Sequence, residues 1–124
     1  ICHKLKDKGI ELVIIEIDEN LIAAAEKKEC YLLKGNATTD ECLLEAGVKR
    51  AQGLVAVLTA DADNLFISLA ARELNPEIHI ISRCEELGVE HRMYRGGANV
   101  VISPLQLGAR HIASLIVEHD TIQE

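Results

Sequence analysis

The sequence predicts an α/β protein built on a doubly wound parallel sheet. Short runs rich in Val, Ile and Leu recur along its 124 residues, and Ala-, Leu- and Glu-rich stretches with helical patterning lie between them. Strands that alternate with helices imply parallel βαβ units. The length fits one domain, since domains usually hold about 100–200 residues. No linker, low-complexity tract or short-period repeat divides residues 1–124. Apolar residues make up 48% of the chain and aromatics only 2%, so the core is aliphatic.

In order, LVIIEI (12–17) is β-branched and apolar on both parities, as in a strand buried on both faces. ENLIAAAEKKE (19–29) is helical and CYLLKG (30–35) is a short strand. TTDECLLEAG (38–47) is a helix with a Thr or Asp cap and a glycine stop. GLVAVLT (53–59) is a strand. DADNLFISLAARELN (61–75) is a helix with acids in its first turn and Asn75-Pro76 as its stop. EIHIIS (77–82) is a strand, and EELGVEHRMYRGG (85–97) contains a helix ending at a glycine pair. NVVIS (99–103) is the last strand. PLQLGARHIASLIVEH (104–119) is a helix with Pro104 at its start and Leu105, Ala109, Ile112, Ala113 and Ile116 on one face.

The formal net charge of −7 disfavours a nucleic-acid partner, because an acidic chain repels phosphate backbones. No apolar run approaches the ~20 residues that cross a membrane. Cys2, Cys30, Cys42 and Cys84 form no CxxC pair and read as buried, reduced thiols. His3, His79, His91, His111 and His119 show no zinc-ligand spacing. Ser68, Ser82, Ser103 and Ser114 sit in apolar patterns with no nucleophile motif.

The opening ICHKLKDKG reads as the end of a helix, with Gly9 after Lys6 and Lys8. In a doubly wound sheet, ligands bind outside the carboxyl ends of the strands. Glu16 lies near such an end, where a dinucleotide-binding unit places an acid that accepts hydrogen bonds from ribose hydroxyls. The glycine-rich loop that precedes this acid by about 20 residues would fall just before Ile1. The first strand and its glycine loop are therefore expected upstream, and the sequence reads as a fragment with that central strand missing. No Arg or Lys follows closely to hold a 2′-phosphate, which favours NAD over NADP. The plainer role for Glu16 is a solvated strand end. Asp18 reads as a helix cap, and Glu19 complements the helix dipole.

Taken in register, the blocks GIELVIIEIDEN, KGNATTDECLLEAGV (34–48), LVAVLTADADNLFISLAAREL (54–74), NPEIHIISRCEE (75–86) and GGANVVISPLQLGARHIASLI (96–116) resemble the N-terminal lobe of the RCK domain. This is the regulator of potassium conductance, or Trk-type NAD-binding (TrkA-N) domain, with a Rossmann-like fold. The resemblance implies a cytosolic regulatory domain, at the cytoplasmic face of the cell membrane, of a potassium channel or potassium transporter. It would bind NAD, NADH, ADP or ATP and couple binding to gating, without catalysis. It implies a homodimer or larger gating ring, with a channel or transporter membrane subunit as partner.

Carried over residue by residue, the resemblance assigns Glu16 to the ribose and Asn36 and Ala37 to the adenine. It puts Thr59 and Ala60 beside the nucleotide, has Asn64 order the loop, and places Arg83 toward the cleft or a subunit contact. Each position also has a plainer role. Asn36 after Gly35 makes a turn, Thr59, Asp61 and Asp63 cap a helix, and Arg83 pairs with Glu85 or Glu86. Asn36 stands where the family usually has Asp. Leu105 replaces the glutamate that some transporter subunits use for a nucleotide-bound metal. Arg83 takes one of two acidic positions of calcium-gated relatives, so no metal site is expected. Two other readings stand beside this one: an NAD-dependent oxidoreductase fragment, and an assembly module whose nucleotide site is vestigial. Apolar helices such as LFISLAA (65–71) suit subunit contacts as well as core packing.

Overall fold

The apolar runs form parallel strands where the sequence places them. β1 (Val13–Glu16) and β2 (Tyr31–Lys34) pair in parallel, with Val13 opposite Tyr31 and Glu16 opposite Lys34. β3 (Gly53–Ala56), β4 (His79–Arg83) and β5 (Val100–Ile102) form a second parallel sheet in that order. The helices are α1 (Asp40–Ala46), α2 (Asp61–Leu74), α3 (Glu90–Arg95) and α4 (Pro104–Gln123). In this computed structural model the described residues are 13–16, 31–86 and 88–123. The helix expected over 19–29 and the helix end expected at 1–9 lie outside them. The chain divides into two units, Ile1–Ala51 and Gln52–Glu124, each carrying one of the sheets.

In the first unit, α1 starts where Thr39 leaves the extended conformation, and the Cys42 N–H donates to the Thr39 hydroxyl. This satisfies one of the helix's orphan donors. The helix ends at Gly47, whose φ of 92° is the left-handed conformation that glycine adopts freely. The N–H groups of Gly47 and Val48 then donate to Leu44 and Leu43, the Schellman pattern. Cys42, Leu43 and Val48 are buried. A Cβ at Gly35 would come within 2.7 Å of Cys42 Sγ, so the chain leaving β2 crosses α1 where a side chain has no room.

In the second unit, α2 lies against β3 and β4, α3 against β5, and the two helices touch each other. The buried residues of α2 are Asn64, Ile67, Ser68 and Ala71, which recur at helical spacing. On β4, Ile80 and Ser82 are fully buried while His79 is exposed, the alternation of a strand with one face in the core. The Ser82 hydroxyl meets the Met93 sulfur of α3 at 3.7 Å, which puts this buried face under the helices. Val55 of β3 is 43% exposed among the described residues.

Two expectations are corrected here. The strand expected over 53–59 stops pairing after Ala56. Beyond it the Asn64 side chain takes both backbone groups of Leu58, a place that a neighbouring strand would fill. The first-turn acids of α2 were expected to cap that helix. Its N-cap is Ala60, with no side-chain cap hydrogen bond, and Asp61 reaches elsewhere.

Arg72 ties the second unit together. Its guanidinium donates to the carbonyls of Pro76, Ile78 and Gly97 and to Asn99 Oδ1, at 2.7–3.2 Å. Asn99 Oδ1 also accepts the Ile80 N–H. One planar, five-donor group thus holds the end of α2, the turn into β4 and the turn into β5. α4 is exposed from Leu107 to His119, including Ile112 and Ile116 on the apolar side read from the sequence.

Candidate functional site at the strand ends

Glu16 is the last residue of β1. Just beyond β2 stand Asn36 and Ala37. Asn36 Oδ1 accepts from the Thr38 N–H at 2.9 Å and from the Thr38 hydroxyl at 2.5 Å. The Asn36 carbonyl accepts from the N–H and hydroxyl of Thr39. This is an Asx turn leading into the cap of α1, the plainer role read for Asn36. Because the oxygen is taken by donors, the network assigns the Asn36 amide nitrogen to the exposed side. The position therefore presents a donor outward, where an Asp would present an acceptor. Ala37, half-buried beside it, offers its backbone and a methyl group.

The second unit opens an open cleft of about 460 Å³ at the carboxyl ends of β3 and β4. One wall is Thr59, Ala60, Asp61 and Ala62 at the start of α2. The other is Glu85 and Glu86 after β4, and Leu65, Val89 and Arg92 complete the lining. Thr59 and Ala60 are exposed on its edge. Asn64 is fully buried behind it, and its amide joins Leu58 N, Leu58 O and the Arg83 carbonyl. Asn64 thus acts on the loop and does not face the opening. Arg83 pairs with Glu85 across two residues, the plainer of the roles read for it, and its Nε is buried with no hydrogen-bond partner among the described residues.

Asp61 is the feature that sequence reasoning placed wrongly. Its two carboxylate oxygens accept the N–H groups of Glu85 at 2.8 Å and Glu86 at 3.0 Å. The Cys84 thiol lies 3.8 Å from Oδ2. Burial pushes the Cys84 thiol above its ordinary range, and the Asp61 and Glu90 carboxylates add to that, so it is held as the neutral, unreactive form. The cleft carries Asp61, Glu85 and Glu86 against Arg92 alone. Much of that acidity is already engaged, since both Asp61 oxygens take backbone N–H groups and Glu85 pairs with Arg83. No group of three or more metal-ligating side chains occurs among the described residues. Leu65 lies on α2, while Val89 and Arg92 lie one turn apart at the start of α3, and the meeting of the two helices brings them together.

Parallel strands alternating with helices define an α/β protein of the doubly wound class. The family model of the TrkA-N domain matches residues 1–104, and the chain belongs to that family. It is 34% identical, over 99% of its length, to "Potassium channel protein 1" of Methanocaldococcus jannaschii. The chain spans 38% and 34% of the length of two of the curated relatives it matches. Among solved structures, the TrkA-N domain of the Escherichia coli inner membrane protein ybaL superposes with a TM-score of 0.86. It is 26% identical, with 92% of this chain and 84% of that one covered. The GsuK channel bound to NAD superposes with a TM-score of 0.74. It is also 26% identical, with 83% of this chain and 18% of that one covered. The fold is Rossmann-like, as the sequence predicts.

Proposed function

We propose that this chain is a regulatory domain that binds an adenine nucleotide and biases potassium transport through a channel or a transporter subunit. NAD or NADH is the first candidate ligand, with ADP and ATP next. What carries the reading is the similarity to a channel solved with NAD bound. In the first unit Glu16 accepts from ribose hydroxyls, and Asn36 and Ala37 meet the adenine. In the second unit Thr59 and Ala60 lie along the nucleotide, with Asn64 and Arg83 supporting their loop. The exposed donor of Asn36 suits a ring nitrogen of adenine, which is an acceptor.

The domain performs no catalytic step. Its ligand acts by binding one conformation more tightly than another, and the difference in affinity sets how far the transport equilibrium shifts. It works at the cytoplasmic side of a membrane, in a homodimer or larger ring joined to a membrane subunit. The exposed apolar side of α4, with Leu105, Ile112 and Ile116, supports association with further copies. The test is potassium flux in vesicles carrying the intact protein with its membrane partner, measured with and without NAD, NADH, ADP and ATP. A nucleotide-dependent change in flux supports the reading. Flux that ignores all four, at concentrations that saturate binding, removes the regulatory role.

A further inference from the structure

We propose that the first turn of α2 is a mechanical relay, in which Asp61 and Asn64 transmit displacement of the Thr59–Ala60 edge to the loop after β4 and so to α3. The proposal rests on the reading that Thr59 and Ala60 contact the nucleotide, and it adds where the signal goes.

Two side chains one helical turn apart on α2 hold the backbone of two different strand ends. Asn64 grips Leu58, just before the edge, through both its N–H and its carbonyl, at 2.8 and 2.9 Å. The same amide nitrogen donates to the Arg83 carbonyl at 3.1 Å, at the end of β4. Asp61 takes the next two free N–H groups of that strand's loop, those of Glu85 and Glu86. The Cys84 thiol in turn donates to the Glu86 carbonyl at 3.1 Å, which stiffens the loop between them. Three backbone positions on one loop, Arg83, Glu85 and Glu86, and one on the other, Leu58, are therefore fixed to a single turn.

The alternatives to these bonds are costly. Asn64 is fully buried, so any movement that separates it from Leu58 or Arg83 strands buried polar groups. The cheaper response to a push at Thr59 or Ala60 is for the first turn of α2 to move as a body and carry the Glu85–Glu86 segment with it. Val89, the N-cap of α3, donates its N–H to the Glu86 carbonyl at 3.5 Å, which links the loop to that helix. The two walls of the cleft are also the two segments that the relay joins.

The test is residue-resolved amide hydrogen exchange on the intact protein, in two arms. In the first, saturating NAD is added. The wild type is expected to slow exchange at 58–61 and also at 84–90, by roughly fivefold or more. In Asp61→Asn and in Asp61→Ser, slowing at 58–60 persists while slowing at 84–90 disappears, and Asp61→Glu restores it. The second arm uses no nucleotide. Ala60→Gly, which loosens the N-cap backbone, is expected to speed exchange at Glu85 and Glu86 when Asp61 is present and to leave it unchanged in Asp61→Asn.

Loss of coupling in the Asp61 variants in either arm supports the relay. Slowing at 84–90 that survives Asp61→Asn, or an Ala60→Gly effect that does so, overturns it. If NAD changes nothing anywhere while the second arm succeeds, the relay stands and the nucleotide reading falls. If NAD slows 58–61 alone in the wild type, the nucleotide reading stands and the relay falls.

Discussion

Asn64 Oδ1 accepts the Leu58 N–H at 2.8 Å, and Asn64 Nδ2 donates to the Leu58 carbonyl at 2.9 Å, so a helix side chain pairs with a strand end as a neighbouring strand would. The pairing stops the β3–β4 ladder at Ala56 and frees the next residues to form an edge of the cleft. Leu58 offers one donor and one acceptor, and the Asn64 amide answers both from one side-chain end.

Asn64→Asp is therefore expected to destabilise the protein by about 2–3 kcal/mol. The carboxylate cannot donate to the Leu58 and Arg83 carbonyls and sets a charge against both. Urea unfolding of the two proteins checks this. A lower midpoint at unchanged slope is the expected result, and equal midpoints would show that water replaces the lost donors.

Arg72→Lys keeps the charge but loses the planar fork. The ammonium cannot reach the carbonyls of Pro76, Ile78 and Gly97 together with Asn99. A stability loss of about 1–3 kcal/mol follows from the unsatisfied acceptors. Thermal unfolding measures it, and a Lys variant as stable as the wild type would show that the fork is dispensable.

Cys84 gives a pH dependence whose sign is fixed. Its thiol is raised in the folded protein, first by burial and then by Asp61 and Glu90. Above the ordinary thiol range the unfolded chain releases this proton and the folded chain keeps it, so stability falls as pH rises. Chemical unfolding between about pH 7.5 and 10 is expected to show this slope, and Cys84→Ala is expected to reduce it. The same slope in both proteins would assign it to other groups.

Glu16→Ala is expected to weaken nucleotide binding by about 1–3 kcal/mol, the scale of hydrogen bonds to a charged group. Equilibrium titration of the variant and the wild type measures this. Equal affinities would take Glu16 out of the site.

Local signals were the legible ones. Thr39 and Gly47 bound α1 as read, because capping chemistry is written within a few residues. The burial of Ile78 and Ile80 around an exposed His79 follows from strand alternation. The role of Asp61 was not legible as anything but a cap, since the N–H groups that donate to it lie 24 and 25 residues away on a loop that only the sheet order brings near. Arg72 carried no reading in the sequence at all, because its partners up to 27 residues on leave no sequence signal. For the candidate site, Glu16 was readable as a strand end, while Asn36, Ala37, Thr59 and Ala60 entered through the family resemblance. The lining by Leu65, Val89 and Arg92 was not readable, because it depends on how two helices meet.

The central claim is that this domain binds an adenine nucleotide, and calorimetric titration of the intact protein with NAD, NADH, ADP and ATP tests it most directly. Saturable binding of at least one of the four, weakened in Glu16→Ala, is the predicted result. No measurable heat or saturation with any of them, on protein shown to be folded, would contradict it.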